Sequence, residues 1–86
     1  MTELRLRRAD LSWRELDGEI VALDSGNSVY LSTNSSGTLV WHRLAAGTTR
    51  DQLVSELAAT FEIPAEQAAA DVDSFVDALR TQGLLE

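Results

Sequence analysis

The stretch GNSVYLSTNSSG, Gly26–Gly37, decides how the rest of the chain is arranged, because its period changes halfway along. Val29 and Leu31 alternate with Ser28, Tyr30 and Ser32, the two-residue repeat of a strand with one apolar face. From Asn34 the pattern turns helical. Asn34 or Ser35 can cap a helix, and Leu39, Val40, Trp41 and Leu44 form an apolar side before Gly47 ends it. A strand that runs into a helix, with no further strand pattern downstream, lies at the edge of its sheet. One side of Val29, Tyr30 and Leu31 is therefore left without a neighbour.

Upstream, LSWREL (Leu11–Leu16) and EIVALD (Glu19–Asp24) flank Asp17-Gly18, a pair suited to the type I′ turn because both central positions need positive φ. The second run is almost continuously apolar, as a central strand is, and Ser25-Gly26-Asn27 supplies the next turn. Downstream, Thr49 and Gln52 stand at capping-box spacing ahead of Leu53, Val54, Leu57, Ala58 and Phe61. Pro64 then opens a third helix, which carries Ala68, Val72, Phe75, Val76 and Leu79 at helical spacing until Gly83. The expected fold class is α+β and winged helix-turn-helix-like: a three-stranded antiparallel sheet followed by a three-helix bundle. Residues 9–86 read as a single domain, with 1–8 set apart as a flexible N-terminus.

Eighty-six residues suit one small domain with little room for a deep enclosed site. The formal charge of −7 is unevenly placed: residues 1–50 hold six arginines against six acids, and residues 51–86 hold Arg80 alone against eight acids. A surface of that kind repels phosphate backbones and anionic lipid. No apolar run is long enough to span a bilayer, no secretory signal follows MTELRLRR, and the chain has no cysteine, so a cytoplasmic protein is expected. The single histidine, His42, makes neither a zinc set nor a triad, and reads as a surface or boundary residue of the first helix. No GxGxxG or Walker pattern surrounds the glycines. Glu66, Asp73 and Asp77 form a charge row that reads as a solvated helix face. No catalytic residue, metal ligand or cofactor is expected.

An open strand edge invites either a cover or a guest, and residues 27–33 contain no Lys or Pro to blunt it. The order of elements, with VYLSTNSSGTLVWHRLAAGTT and FEIPAEQAAADVDSFVDALRTQGLLE, resembles the PqqD-like family of leader-peptide recognition domains, in particular the discrete versions of lasso-peptide biosynthesis. The resemblance covers residues 11–86. It rests on the loop Thr33–Gly37, the helix Thr38–Thr49 with its Val-Trp pair, the acid-apolar pair Asp71-Val72, and the ending Gly83-Leu84-Leu85. Thr33 departs from the leucine common at that position. The resemblance implies a non-enzymatic adaptor that binds the leader of a ribosomally made precursor peptide as an added strand between the third strand and the third helix. It also implies a leader of Tyr-x-x-Pro type, with a leader peptidase and a macrocyclase as further partners.

Carried over by position, Ser28, Val29, Tyr30, Leu31 and Ser32 would give main-chain hydrogen bonds, and Ala68, Asp71, Val72 and Phe75 would form the far wall. Taking Val72 as the inward direction, Ala68, Asp71, Phe75 and Ala78 lie to one side of the third helix and Asp73, Asp77 and Arg80 to the other. The bland reading of Ala68, Val72 and Phe75 is core packing, and of Asp71 an ion pair within the domain. Four or five added main-chain bonds yield ~4–5 kcal/mol, which association costs largely cancel, so apolar anchors from the leader must supply the rest. Two rival readings belong to other classes: an acidic winged-helix DNA-binding regulator, and a homodimerising structural module that pairs the same edge with its own copy.

Overall fold

The computed structural model describes residues 3–7, 11–26 and 29–86, with Val29 and Tyr30 described by their backbone alone. In chain order the elements are β1 (Glu3–Leu4), β2 (Leu11–Leu16), β3 (Glu19–Asp24), β4 (Val29–Ser32), α1 (Ser35–Ala46), β5 (Thr48–Thr49), α2 (Arg50–Phe61) and α3 (Ala65–Thr81). The expected meander is the antiparallel sheet β2-β3-β4, and β1 pairs with β5 in a second, two-stranded sheet. The mixed α+β architecture is thus the one expected, three strands followed by three helices.

Local chemistry sets each boundary. Asp17 and Gly18 adopt φ of 53° and 80°, as the tight hairpin between β2 and β3 requires. The Asn34 side chain caps α1 by accepting from the Gly37 N–H, at 2.9 Å. Thr49 and Gln52 form the full reciprocal capping box of α2. Pro64 occupies the N-cap of α3, one position before the first helical residue, where its missing N–H is not needed.

The core joins one face of β3 to all three helices. Ile20 and Ala22 meet Val40, Trp41 and Leu44 of α1, Leu53 and Leu57 of α2, and Ala68, Val72, Val76 and Leu79 of α3, all buried. Of the stretch set apart as a flexible N-terminus, residues 3–7 are described and are bonded to the domain. Leu6 is 3% exposed, its N–H donates to the Leu44 carbonyl, and it bridges Leu85 across the molecule. His42 is half-buried, with Nε2 2.7 Å from Glu15 Oε1 and its ring set edge-on to Trp13.

Thr33 explains how the sheet is locked to α1. Its N–H donates to the Ile20 carbonyl, and its Oγ1 accepts the Ile20 N–H at 3.0 Å. That leaves the Thr33 hydroxyl hydrogen for Thr38 Oγ1, 2.9 Å away, and the Thr38 hydroxyl for the carbonyl of Gly18 or Asn34. Leucine at this position could not accept the buried Ile20 N–H, so threonine here leaves that donor satisfied.

Candidate functional site

The register fixes which groups of β4 face outward. Val21 pairs with Ser32, Ala22 with Leu31, Leu23 with Tyr30 and Asp24 with Val29. Because Thr33 donates to Ile20, alternation back along the strand turns the N–H and C=O of Leu31 and Val29 towards β3 as well. Tyr30 and Ser32 then direct theirs away from the sheet. The other side of the sheet gives the same parity: the two-residue hairpin makes Leu16 and Glu19 a bonded pair, so Glu19, Val21 and Leu23 bond to β2, and Ile20, Ala22 and Asp24 to β4. No described strand lies beyond β4.

At its end β4 passes through Thr33 and Asn34 into the first turn of α1, and this turn borders a cleft of about 360 Å³ against α3. Asn34, Ser36, Gly37 and Val40 form one wall, Asp71, Ser74, Phe75 and Ala78 the other, and Leu57 also lines it. Gly37 makes this close approach feasible. A Cβ there would lie 3.0 Å from the Thr33 Cβ and 3.2 Å from a ring carbon of Phe75, so even alanine requires Thr33 and the ring to give way slightly. Asp71 is exposed at the cleft and makes no ion pair among the described residues.

The candidate residues fall into four groups. Asp71 and Phe75 line the cleft together, and Phe75 is half-buried against the core. Ala68 and Val72, expected in the far wall, are both 0% exposed and pack within the core, so neither presents surface to a guest. Leu31 packs on the core from β4, and Ser32 is exposed at the edge. Ser28 lies outside the described residues, as do the side chains of Val29 and Tyr30. Sequence reasoning did not single out Asn34, Ser36 and Gly37 as site residues. A glycine in the first turn of a helix, where alanine would propagate it better, is the signal that pointed there.

The opposite flank of α3 differs in kind. Arg50 of α2 makes a two-pronged contact with Asp73, at 2.7 and 3.0 Å, above a second cleft lined by Leu4, Val76, Asp77 and Arg80. The hydrogen bonds from Arg50 hold the Asp73 carboxyl below the usual carboxylate range, and Asp73 raises Arg50 in return. Among the described residues no group of three His, Asp or Glu could hold a metal ion, and no helix is long and apolar enough to cross a membrane.

The family model for coenzyme PQQ synthesis protein D (PqqD) matches residues 19–85. No curated protein matches the sequence. Among solved structures, the chain is similar to TbiB1 in complex with the TbiA(beta) leader peptide, with a TM-score of 0.86 and 22% identity over 95% of this chain and 94% of that one. It is also similar to lasso peptide synthetase B1 complexed with the leader peptide, with a TM-score of 0.85 and 26% identity over 99% of both chains.

Proposed function

This chain belongs to the PqqD family, and from that premise we propose that it is a non-catalytic adaptor that binds the leader of a ribosomally made precursor peptide, in a lasso-peptide pathway of the cytoplasm. The observation that carries the reading is the outward-facing backbone of Tyr30 and Ser32 on an edge strand that runs into the cleft beside Asp71 and Phe75. The similar lasso synthetase B1 protein was solved with a leader peptide bound, which supports a peptide as the guest.

Two outward residues, each with one N–H and one C=O, offer four hydrogen bonds, a net gain of ~4 kcal/mol that immobilising the peptide offsets. Affinity must come from side chains that enter the cleft, and the Tyr-x-x-Pro type of leader provides a suitable pair. Asp71 stands free to accept from a tyrosine hydroxyl or to pair with a basic leader residue. Once the leader is held, the attached core stays at high local concentration near a leader peptidase and a macrocyclase, so the adaptor promotes their reactions without chemistry of its own. A DNA-binding role is not favoured. Glu66, Asp71, Asp73 and Asp77 are all exposed on α3, and such a helix would repel a duplex.

The test is Tyr30→Pro. Its N–H points away from β3, so proline removes no ladder bond and is tolerated on an edge, but it removes a donor to the guest and obstructs its approach. Calorimetry with a panel of synthetic lasso-precursor leaders, TbiA(beta) among them, should give binding to the wild type and at least about tenfold weaker binding to the folded variant. Undiminished binding by folded Tyr30→Pro would contradict strand addition at this edge.

A further inference from the structure

We infer that Arg7 and Asp24 are positioning residues for the β4 edge, an inference that rests on the leader-binding reading above. Asp24 ends β3 and is the register partner of Val29, the first residue of β4. It is 1% exposed, and its Oδ1 accepts the Gly26 N–H at 3.1 Å, within the connection that leads into β4. The Arg7 guanidinium pairs with the same carboxylate through Nη2. Through Nη1 it donates to the Gly83 carbonyl at 2.9 Å, and its backbone N–H donates to Leu84 at 2.7 Å. One side chain therefore ties together the arm before β2, the segment after α3 and the corner between β3 and β4.

That corner, Ser25 to Ser28, contains no apolar side chain that could anchor it in the core. At its start the Asp24 carboxylate supplies an acceptor, which the Gly26 N–H uses. A pair of this type, with the acid buried and the arginine partly exposed, is poor evidence for stability, because the cost of desolvating the charge offsets much of the attraction. It does hold a position: with Arg7 on the carboxylate, Asp24 is kept where its Oδ1 accepts the Gly26 N–H and its backbone stands opposite Val29, while Thr33 sets the register at the other end of β4. Without Arg7 the tie from this carboxylate to the two chain ends is lost, and the guest-competent edge becomes one of several arrangements. Apparent affinity then falls in proportion to the competent fraction, and the loss appears in the association rate.

The experiment compares wild type, Arg7→Gln, Arg7→Lys and Asp24→Asn. Amide exchange is followed by NMR, and binding kinetics are measured with whichever leader of the synthetic panel the wild type binds most tightly. We expect Arg7→Gln to lose protection at Val29 and Leu31 while Val72 and Val76 in α3 keep theirs. Association should slow about tenfold with dissociation unchanged, and Arg7→Lys should recover part of both effects. Asp24→Asn keeps an acceptor for Gly26 and serves if Arg7→Gln does not fold. Unchanged exchange at Val29 and Leu31, or an affinity loss confined to dissociation, overturns the inference. If no leader binds even the wild type, the leader-binding reading fails, and exchange alone still decides whether Arg7 orders β4.

Discussion

Both flanks of α3 carry aspartate, but only on one of them is the acid engaged by a cation of the domain. On one flank Asp73 is held by Arg50, and Asp77 lies 3.9 Å from Arg80. On the other, Asp71 has no cationic partner among the described residues and stands beside a half-buried ring and two small residues, Ser74 and Ala78. A carboxylate already engaged offers little to a guest. A free one beside apolar surface offers both orientation and a place for an anchor. The difference teaches that acid count along the helix says little about recognition: what separates the flanks is whether the acid is already satisfied.

Three substitutions break or sharpen this contrast. Phe75→Ala has the largest expected effect, since it removes the principal apolar wall of the cleft. Leader affinity should fall about 30-fold or more, as for other aromatic anchors, and part of the loss should appear as lower thermal stability because the ring also packs on the core. Asp71→Ala comes next, with affinity about five- to tenfold weaker and stability unchanged, the signature of a surface acceptor used only by the guest. Asp73→Ala is the smallest, less than about threefold on binding by the same calorimetry. Asp73 has a lowered carboxyl value, so the stabilisation its Arg50 pair adds is present above the unfolded carboxylate value and is lost as pH falls through the lower folded one. Both groups are exposed, and salt should screen that contribution. If calorimetry placed Asp73→Ala above Asp71→Ala, the groove would belong on the other flank.

Much of this fold was legible because its signals are local. Asp17-Gly18, the Thr49 and Gln52 pair and the repeat from Ala68 to Leu79 each act within a few residues, and each appears where its chemistry requires. Long-range pairings left no comparable mark. Thr48 and Thr49 pair with Leu4 and Glu3 over a stretch too short to show a strand period. Leu6 and Leu85 meet only because the chain ends lie side by side. The site follows the same rule. The edge position of β4 could be read from element order, whereas the outward parity of Tyr30 and Ser32 needed the register that Thr33 sets. Helical geometry alone put Asp71, Phe75 and Ala78 on a common side. It could not show that Ala68 and Val72 are spent in the core, since burial depends on how closely α1 and α2 approach.

The account turns on whether a guest backbone pairs with β4, and amide-resolved NMR of the monomer, titrated with a bound leader, tests this most directly. In the free protein the Val29 and Leu31 amides should be protected and those of Tyr30 and Ser32 should exchange freely. Addition of the leader should protect Tyr30 and Ser32 and shift their resonances, with little change at Asp73 and Asp77. A Tyr30 amide already protected in the free monomer, and unmoved by a leader that binds elsewhere, would contradict it.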